Sequence, residues 1–163
     1  MGRIIRETTQ VVWSVLSKYV EAPNTEESWK EIAKGFEKQW NFPHCVGAID
    51  GKHVNIQAPV NSGSTYFNYK KFFSIVLMAV CNSNFEFTLI DVGDIGRQSD
   101  SGVYNKSQLG YAIEQNLINR PKPEPINGYS QTKFPYTFVA DEGFSLKTFM
   151  LRPYPRARKL ILR

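Results

Sequence analysis

The apolar positions of the chain fall into two regimes. Ile4, Ile5, Thr8, Val12, Val15, Leu16 and Tyr19 recur at helical spacing, which predicts a helix over 3–20 that ends before Pro23. Asn24 or Thr25 then caps a second helix, with Glu26 and Glu27 in its first turn, where they suit the helix dipole. Trp29, Ile32, Ala33, Phe36 and Trp40 form its apolar stripe, and aromatics at this spacing point to core. From Asn41-Phe42-Pro43 onward the period shortens. Cys45–Ile49 is a short apolar run and 53–57 alternates, which predicts two strands around an Asp50-Gly51 turn. Phe72–Cys81 reads as a buried strand, and Phe85–Val92 returns beside it as a hairpin partner after Asn82-Ser83-Asn84. A loop follows at Gly93–Gly96, then a helix from Asp100 to about Leu117 and an irregular, proline-rich connection over 121–128. Tyr136–Ala140 predicts a last strand, and Leu146–Leu151 the start of a helix stopped by Pro153 and Pro155.

This order predicts an α+β fold, a strand-rich sheet with helices packed on it. With 163 residues the chain is sized for one domain, divided here into an N-terminal helical segment (1–40) and a core (41–163). An apolar share of 42% is enough for a real core and argues against global disorder. No apolar run reaches membrane-spanning length, and residues 1–7 lack a signal-peptide core. The net charge of +5 tilts the choice of partner toward polyanions. Basic residues crowd the end, at Lys147, Arg152, Arg156, Arg158, Lys159 and Arg163. Cys45 and Cys81 sit in apolar stretches and read as reduced thiols. With His44 and His53 they do not make a zinc spacing. Gly93-x-x-Gly96 is too short for a phosphate cradle, and no Ser-His-Asp signature supports a small-molecule enzyme.

Three acids share a context. Asp50 follows the run Cys45–Ile49, Asp141 follows the strand Tyr136–Ala140, and Asp100 opens a helix after a glycine-containing loop. Acids held at strand ends that converge suit hard divalent cations, which take oxygen ligands. Each acid also has a local reading: Asp50-Gly51 as a turn, Asp100 as an N-cap, Asp141-Glu142 as a strand end.

The surroundings of these acids carry a family resemblance. Asn41-Phe42-Pro43, then Cys45–Ile49 leading into Asp50-Gly51-Lys52-His53-Val54, resembles the first catalytic block of PIF/Harbinger transposases, the DDE superfamily endonuclease group. Gly63-Ser64, Tyr66-Phe67-Asn68-Tyr69-Lys70 and Ser74-Ile75 resemble the segment entering the family's next strand. Asp91-Val92-Gly93 and Gly96-Arg97-Gln98-Ser99-Asp100-Ser101 resemble its second acidic block. Val139-Ala140-Asp141-Glu142-Gly143-Phe144 resembles the third, before Leu151-Arg152-Pro153-Tyr154-Pro155. The resemblance runs from about Trp29 to Arg156.

It implies a ribonuclease H-like mixed sheet with flanking helices, preceded by two N-terminal helices. It implies that Asp50, Asp100 and Asp141 are catalytic and bind Mg²⁺ or Mn²⁺, with Glu142 as the replacement for Asp141 if the alignment slips by one. His53 matches the histidine after the first Asp and is not taken as a ligand. Lys52, Lys70, Lys71 and Arg97 are candidate phosphate contacts. The implied substrate is DNA, the location the nucleus, and a separate DNA-binding protein is an implied partner. The family's final catalytic Glu has no match before Arg163, so the core is expected to be truncated at its C-terminus. The alternative is a catalytically inactive, transposon-derived DNA- or protein-binding domain.

Overall fold

A computed structural model describes residues 2–17, 22–126 and 131–154. The first helix, α1 (Gly2–Leu16), forms as its apolar spacing predicts but buries none of its residues; Ile4, Val12, Trp13 and Leu16 all remain exposed. Residues 18–20 of the expected helix lie outside the described residues.

Helix α2 (Glu26–Trp40) starts at a capping box. Thr25 Oγ1 accepts from Ser28 N–H at 3.1 Å, and Ser28 Oγ accepts from Thr25 N–H. It ends at Asn41, whose left-handed backbone (φ 50°) lets its N–H reach the carbonyls of the last turn. Trp29, Ala33 and Phe36 are buried, whereas Trp40 is mostly exposed. Trp29 is fully enclosed. Its indole N–H donates to Ile118 O at 2.7 Å, and its ring meets Phe138 edge-on at 5.9 Å.

The expected turn at Asp50-Gly51 is absent. Cys45–Asn55 is one strand, β1, continuous through both residues. Turn chemistry at Asp-Gly works when the flanking segments pair with each other. Here a longer partner intervenes: Ala48–Asn55 pairs residue by residue with β2 (Ser74–Cys81). The hairpin of β2 with β3 (Phe87–Ile95) is as expected, except that β3 runs past Val92 through Gly93 to Ile95. Asn82 Oδ1 braces its turn, accepting from Asn84 N–H and Glu86 N–H.

The helix expected from Asp100 to Leu117 is two helices, α3 (Asp100–Lys106) and α4 (Gln108–Glu114). Ser107 separates them in an extended conformation (ψ 153°), ending one and capping the other through Gly110 N–H. The break brings the chain so close that a Cβ on Gly110 would fall 2.0 Å from Tyr104 O. In the proline-rich connection Glu124–Pro125 (β4) pairs with Lys133–Phe134 (β5), while 127–130 lie outside the described residues. Glu124 is anchored by Lys30 Nζ at 2.6 Å and by Tyr136 Oη at 3.0 Å, which ties this connection to α2.

The last predicted strand is β6 (Thr137–Val139). The helix expected over 146–151 is instead a tight turn, closed by Lys147 and Met150 backbone bonds, that leads into β7 (Met150–Leu151). Backbone groups of β6 claim it: Phe138 N–H donates to Phe149 O, and Ala140 N–H to Leu151 O. The main sheet has the order β3-β2-β1-β6-β7, antiparallel from β3 to β1 and parallel from β1 to β7.

One core covers one face of this sheet. Val46, Ile49, Val76, Met78, Val80 and Phe138 pack against Trp29 and Ala33 of α2, Val103 and Tyr104 of α3, and Leu109 and Ile113 of α4. Alternation along β1 therefore puts Ile49, Gly51 and His53 on the covered face and Asp50, Lys52 and Val54 on the exposed one. Both cysteines are free thiols, Cys45 buried and Cys81 partly so.

Candidate functional site

Asp50 and Asp141 follow the parallel pairing of β1 and β6. Ala48 is registered with Val139, the last residue of β6; two residues on, Asp50 is still within β1, whereas Asp141 stands beyond β6 at the start of a turn. Each has one oxygen fixed by its own backbone. Asp50 Oδ1 accepts from Gly51 N–H at 2.8 Å, and Asp141 Oδ1 from Gly143 N–H at 2.9 Å.

The turn carrying Asp141 is pinned from two sides. Phe144 is buried and meets Tyr104 of α3 edge-on at 5.9 Å. Arg152 Nη1 donates to Glu142 O at 3.1 Å and Phe144 O at 3.0 Å. Arg152, read from the sequence as part of a basic tail, is thus a clamp on this turn. Arg156, Arg158, Lys159 and Arg163 lie outside the described residues.

Asp100 reaches the site from α3. It is the first helical residue, and Ser99 rather than Asp100 is the N-cap, its Oγ accepting from Gly102 N–H. The carboxylate lies directly over Gly51. A Cβ at Gly51 would fall 2.1 Å from Asp100 Oδ1 and 2.4 Å from Cγ, so glycine is required for this approach. Asp100 Oδ1 is buried and has no hydrogen-bond partner. Burial pushes its carboxyl above the usual range, and the charges of Asp50 and Asp141 push the same way; His53 and Lys70 oppose them. The three acids therefore act on one another electrostatically. They do not close into a tight ligand set: among the described residues no three His, Cys, Asp or Glu side chains gather at ion-binding spacing. Asp50 also leaves β1 on the face opposite to Asp100. Ionised carboxylates repel one another until a cation compensates them.

Glu142 is exposed, and only its carbonyl is engaged, by Arg152. Lys52 shares the exposed face with Asp50. Lys70 stands over the exposed Tyr69 ring at 5.4 Å, and Lys71 takes a left-handed backbone (φ 66°). Arg97 lines a cleft of about 270 Å³ with Tyr69, Gln98, Ser99, Asp100 and Gly143, and the charge of Lys70 acts on Asp100. A larger concavity lies elsewhere, an apolar groove of about 730 Å³ lined by Phe42, Pro43, Phe134, Leu146 and Leu151, with none of the three acids.

The sequence alone gives no role to His53 and its two neighbours Asn68 and Ser74. His53 Nδ1 stands 2.9 Å from Ser74 Oγ, and Asn68 Nδ2 donates to the same oxygen at 2.8 Å. All three are buried. A visible signal existed, since Ser74 is a polar residue at the head of an apolar strand.

A five-stranded sheet of order 3-2-1 followed by two parallel strands, with helices packed on one face, is a ribonuclease H-like fold. The sequence profile described as DDE superfamily endonuclease matches residues 49–161, and the chain belongs to this family. It is 29% identical to "Protein ALP1-like" of Arabidopsis thaliana over 90% of its own length and 37% of that protein. It is 24% identical to "Putative nuclease HARBI1" of Rattus norvegicus and of Homo sapiens, over 94% of its length and 40% of theirs. The chain thus spans about two fifths of these relatives. No solved structure gives a significant match. Among the described residues no helix is long and apolar enough to cross a membrane.

Proposed function

We propose that this chain carries the core of a divalent-metal-dependent DNA endonuclease or transposase that cleaves phosphodiester bonds in the nucleus. The observation that supports this reading is the Asp100 carboxylate over Gly51, the residue after Asp50 on β1; its Oδ1 is buried and unpartnered, and Asp141 stands in the turn after β6. The donor set is all oxygen, as Mg²⁺ and Mn²⁺ prefer. Asp50 and Asp141 each keep a second oxygen for an ion after their backbone bonds are made. When bound, such a cation lowers the pKa of an attacking water and offsets charge on the leaving oxygen. The protein's part is to hold the three carboxylates and to bind the DNA backbone, for which Lys70 and Arg97 are placed beside Asp100. In this scheme residues 41–163 are the nuclease core, and the helical segment 1–40 braces it through Trp29. Membership of an endonuclease family, and a relative whose name reads "putative nuclease", support the same activity.

The spread of the acids supports a second reading, an inactive descendant that binds DNA or a partner protein. One experiment separates them: nicking of supercoiled plasmid with Mn²⁺ by wild type and Asp50→Ala, alongside calorimetric titration with Mn²⁺. The nuclease reading requires nicking that Asp50→Ala abolishes. Nicking unchanged by the substitution, or no Mn²⁺ binding by wild type, rejects it.

A further inference from the structure

We propose that the Asn68–Ser74 pair fixes the neutral form of the His53 imidazole in the tautomer protonated on Nε2, and that this N–H is the donor that orients the Asp100 carboxylate. His53 is then a positioning residue rather than a metal ligand. The assignment rests on counting protons along a buried chain. Asn68 Oδ1 accepts from Phe72 N–H at 3.2 Å, which turns its amide so that Nδ2 faces Ser74. Asn68 Nδ2 then donates to Ser74 Oγ at 2.8 Å. Ser74 is fully buried, and its hydroxyl proton must find an acceptor. Among the described residues the acceptor within reach is His53 Nδ1, at 2.9 Å. An Nδ1 that accepts leaves the ring proton of the neutral imidazole on Nε2.

His53 is only 8% exposed, and its Nε2 is buried without a partner; Asp100 Oδ1 is buried in the same condition. Gly51 and His53 share the covered face of β1, and same-face neighbours on a strand are roughly 6.5–7 Å apart. Asp100 lies over Gly51, so the ring edge of His53 and the carboxylate are within one side chain's reach. This pairs an orphaned donor with an orphaned acceptor on the same covered face. Tyr69 and Phe72 meet the ring edge-on at 5.6 and 6.5 Å, and a Cβ on Gly96 would fall 2.1 Å from Ser74 Oγ, so Ser74 is closely packed against Gly96. With one oxygen held by Nε2–H, the other is left for an ion; ligand carboxylates are commonly held in this way. This last step rests on the proposed metal site, whereas the tautomer does not.

Two measurements test it. Long-range ¹H–¹⁵N correlation on the metal-free protein, above the ordinary imidazole pKa of about 6.5, should show His53 Nδ1 unprotonated and Nε2 protonated. A protonated Nδ1 would overturn the assignment. Ser74→Ala should mix the two forms, and an unchanged spectrum in that variant would also overturn it. For the positioning role, His53→Gln keeps an N–H donor at the Nε2 position and should retain Mn²⁺ affinity within about threefold, whereas His53→Leu should lose about 10–100-fold. Equal losses in both folded variants, or none in either, would reject the role. If His53→Leu does not fold, Ser74→Ala takes its place, with a loss of Mn²⁺ affinity expected and an unchanged affinity counting against the role. Absence of Mn²⁺ binding by wild type would reject the nuclease reading and the positioning role with it, and the spectrum would still decide the tautomer.

Discussion

Replacing Asp100 by Asn should stabilise the metal-free protein and abolish its response to metal. In the native chain this carboxylate is partly desolvated and repelled by Asp50 and Asp141. Asn keeps the shape and removes the charge, so a gain of about 1 kcal/mol is expected in EDTA, or roughly 2–4 °C in a chain of this size. The pH dependence has a definite sign. A carboxyl whose folded-state pKa is raised above 3.8 binds its proton more tightly in the folded protein. Its destabilising effect is therefore fully present above the raised value and disappears as pH falls through that value toward 3.8. Lowering the pH through this window should narrow the gap between wild type and Asp100→Asn. Metal reverses the order at neutral pH. A cation at a hundredfold excess over its Kd adds about 2.7 kcal/mol to the folded state, or roughly 5–11 °C, and Asp100→Asn should lose most of that gain. The assay is thermal unfolding by circular dichroism, in EDTA and with Mn²⁺. A variant less stable than wild type in EDTA would mean that the carboxylate is structural. An equal Mn²⁺ shift in both proteins would remove Asp100 from the site.

Gly51→Ala should impair the same site from beneath. Its new methyl occupies the place of the Asp100 carboxylate, so plasmid nicking should fall at least about tenfold while thermal unfolding shows that the fold persists; undiminished nicking would count against the approach of Asp100 over Gly51. Trp29→Ala should cost about 3–5 kcal/mol in chemical denaturation, because it empties a fully buried site and removes the bond to Ile118 O; a cost below about 1 kcal/mol would show that α2 is not integral to the core. Burial raises the Cys45 thiol to about 11 and raises Cys81 less, so iodoacetamide at mildly alkaline pH should label Cys81 first, read by mass spectrometry. Faster labelling of Cys45 would contradict its burial.

Legibility in the sequence tracked how local each determinant is. Helix α2 was readable because its cap, first-turn acids and apolar stripe all lie within sixteen residues, Thr25 to Trp40, and agree with one another. Asp50-Gly51 was misread for the complementary reason. Its turn chemistry is local, but the decision between turn and strand was made by β2, which offers Ala48–Asn55 an unbroken ladder. Nothing near Gly51 states that its missing side chain leaves room for Asp100. The helix expected from 100 to 117 failed more subtly. Val103, Tyr104, Leu109 and Ile113 do all face the core, as the period requires. Two short helices meeting at Ser107 satisfy that requirement equally well, and the serine that ends one can cap the other. Apolar periodicity reports which residues are inside, not whether the backbone between them is continuous.

The same distinction governs the acids. Motif and strand order locate Asp50 on β1 and Asp141 just beyond the end of its parallel neighbour β6. Parity along β1 then sends Asp50 to the exposed face, while Gly51 and His53 receive Asp100 on the covered one. Asp141 stands beyond the last residue of β6, so the ladder does not fix it. The turn that carries it is anchored instead by Phe144 and Arg152. The side chain that grips it most directly, Phe144, does so through Tyr104, on the helix that carries Asp100. Two of the three acids are therefore set by one packing contact, and loosening Phe144 should displace both together.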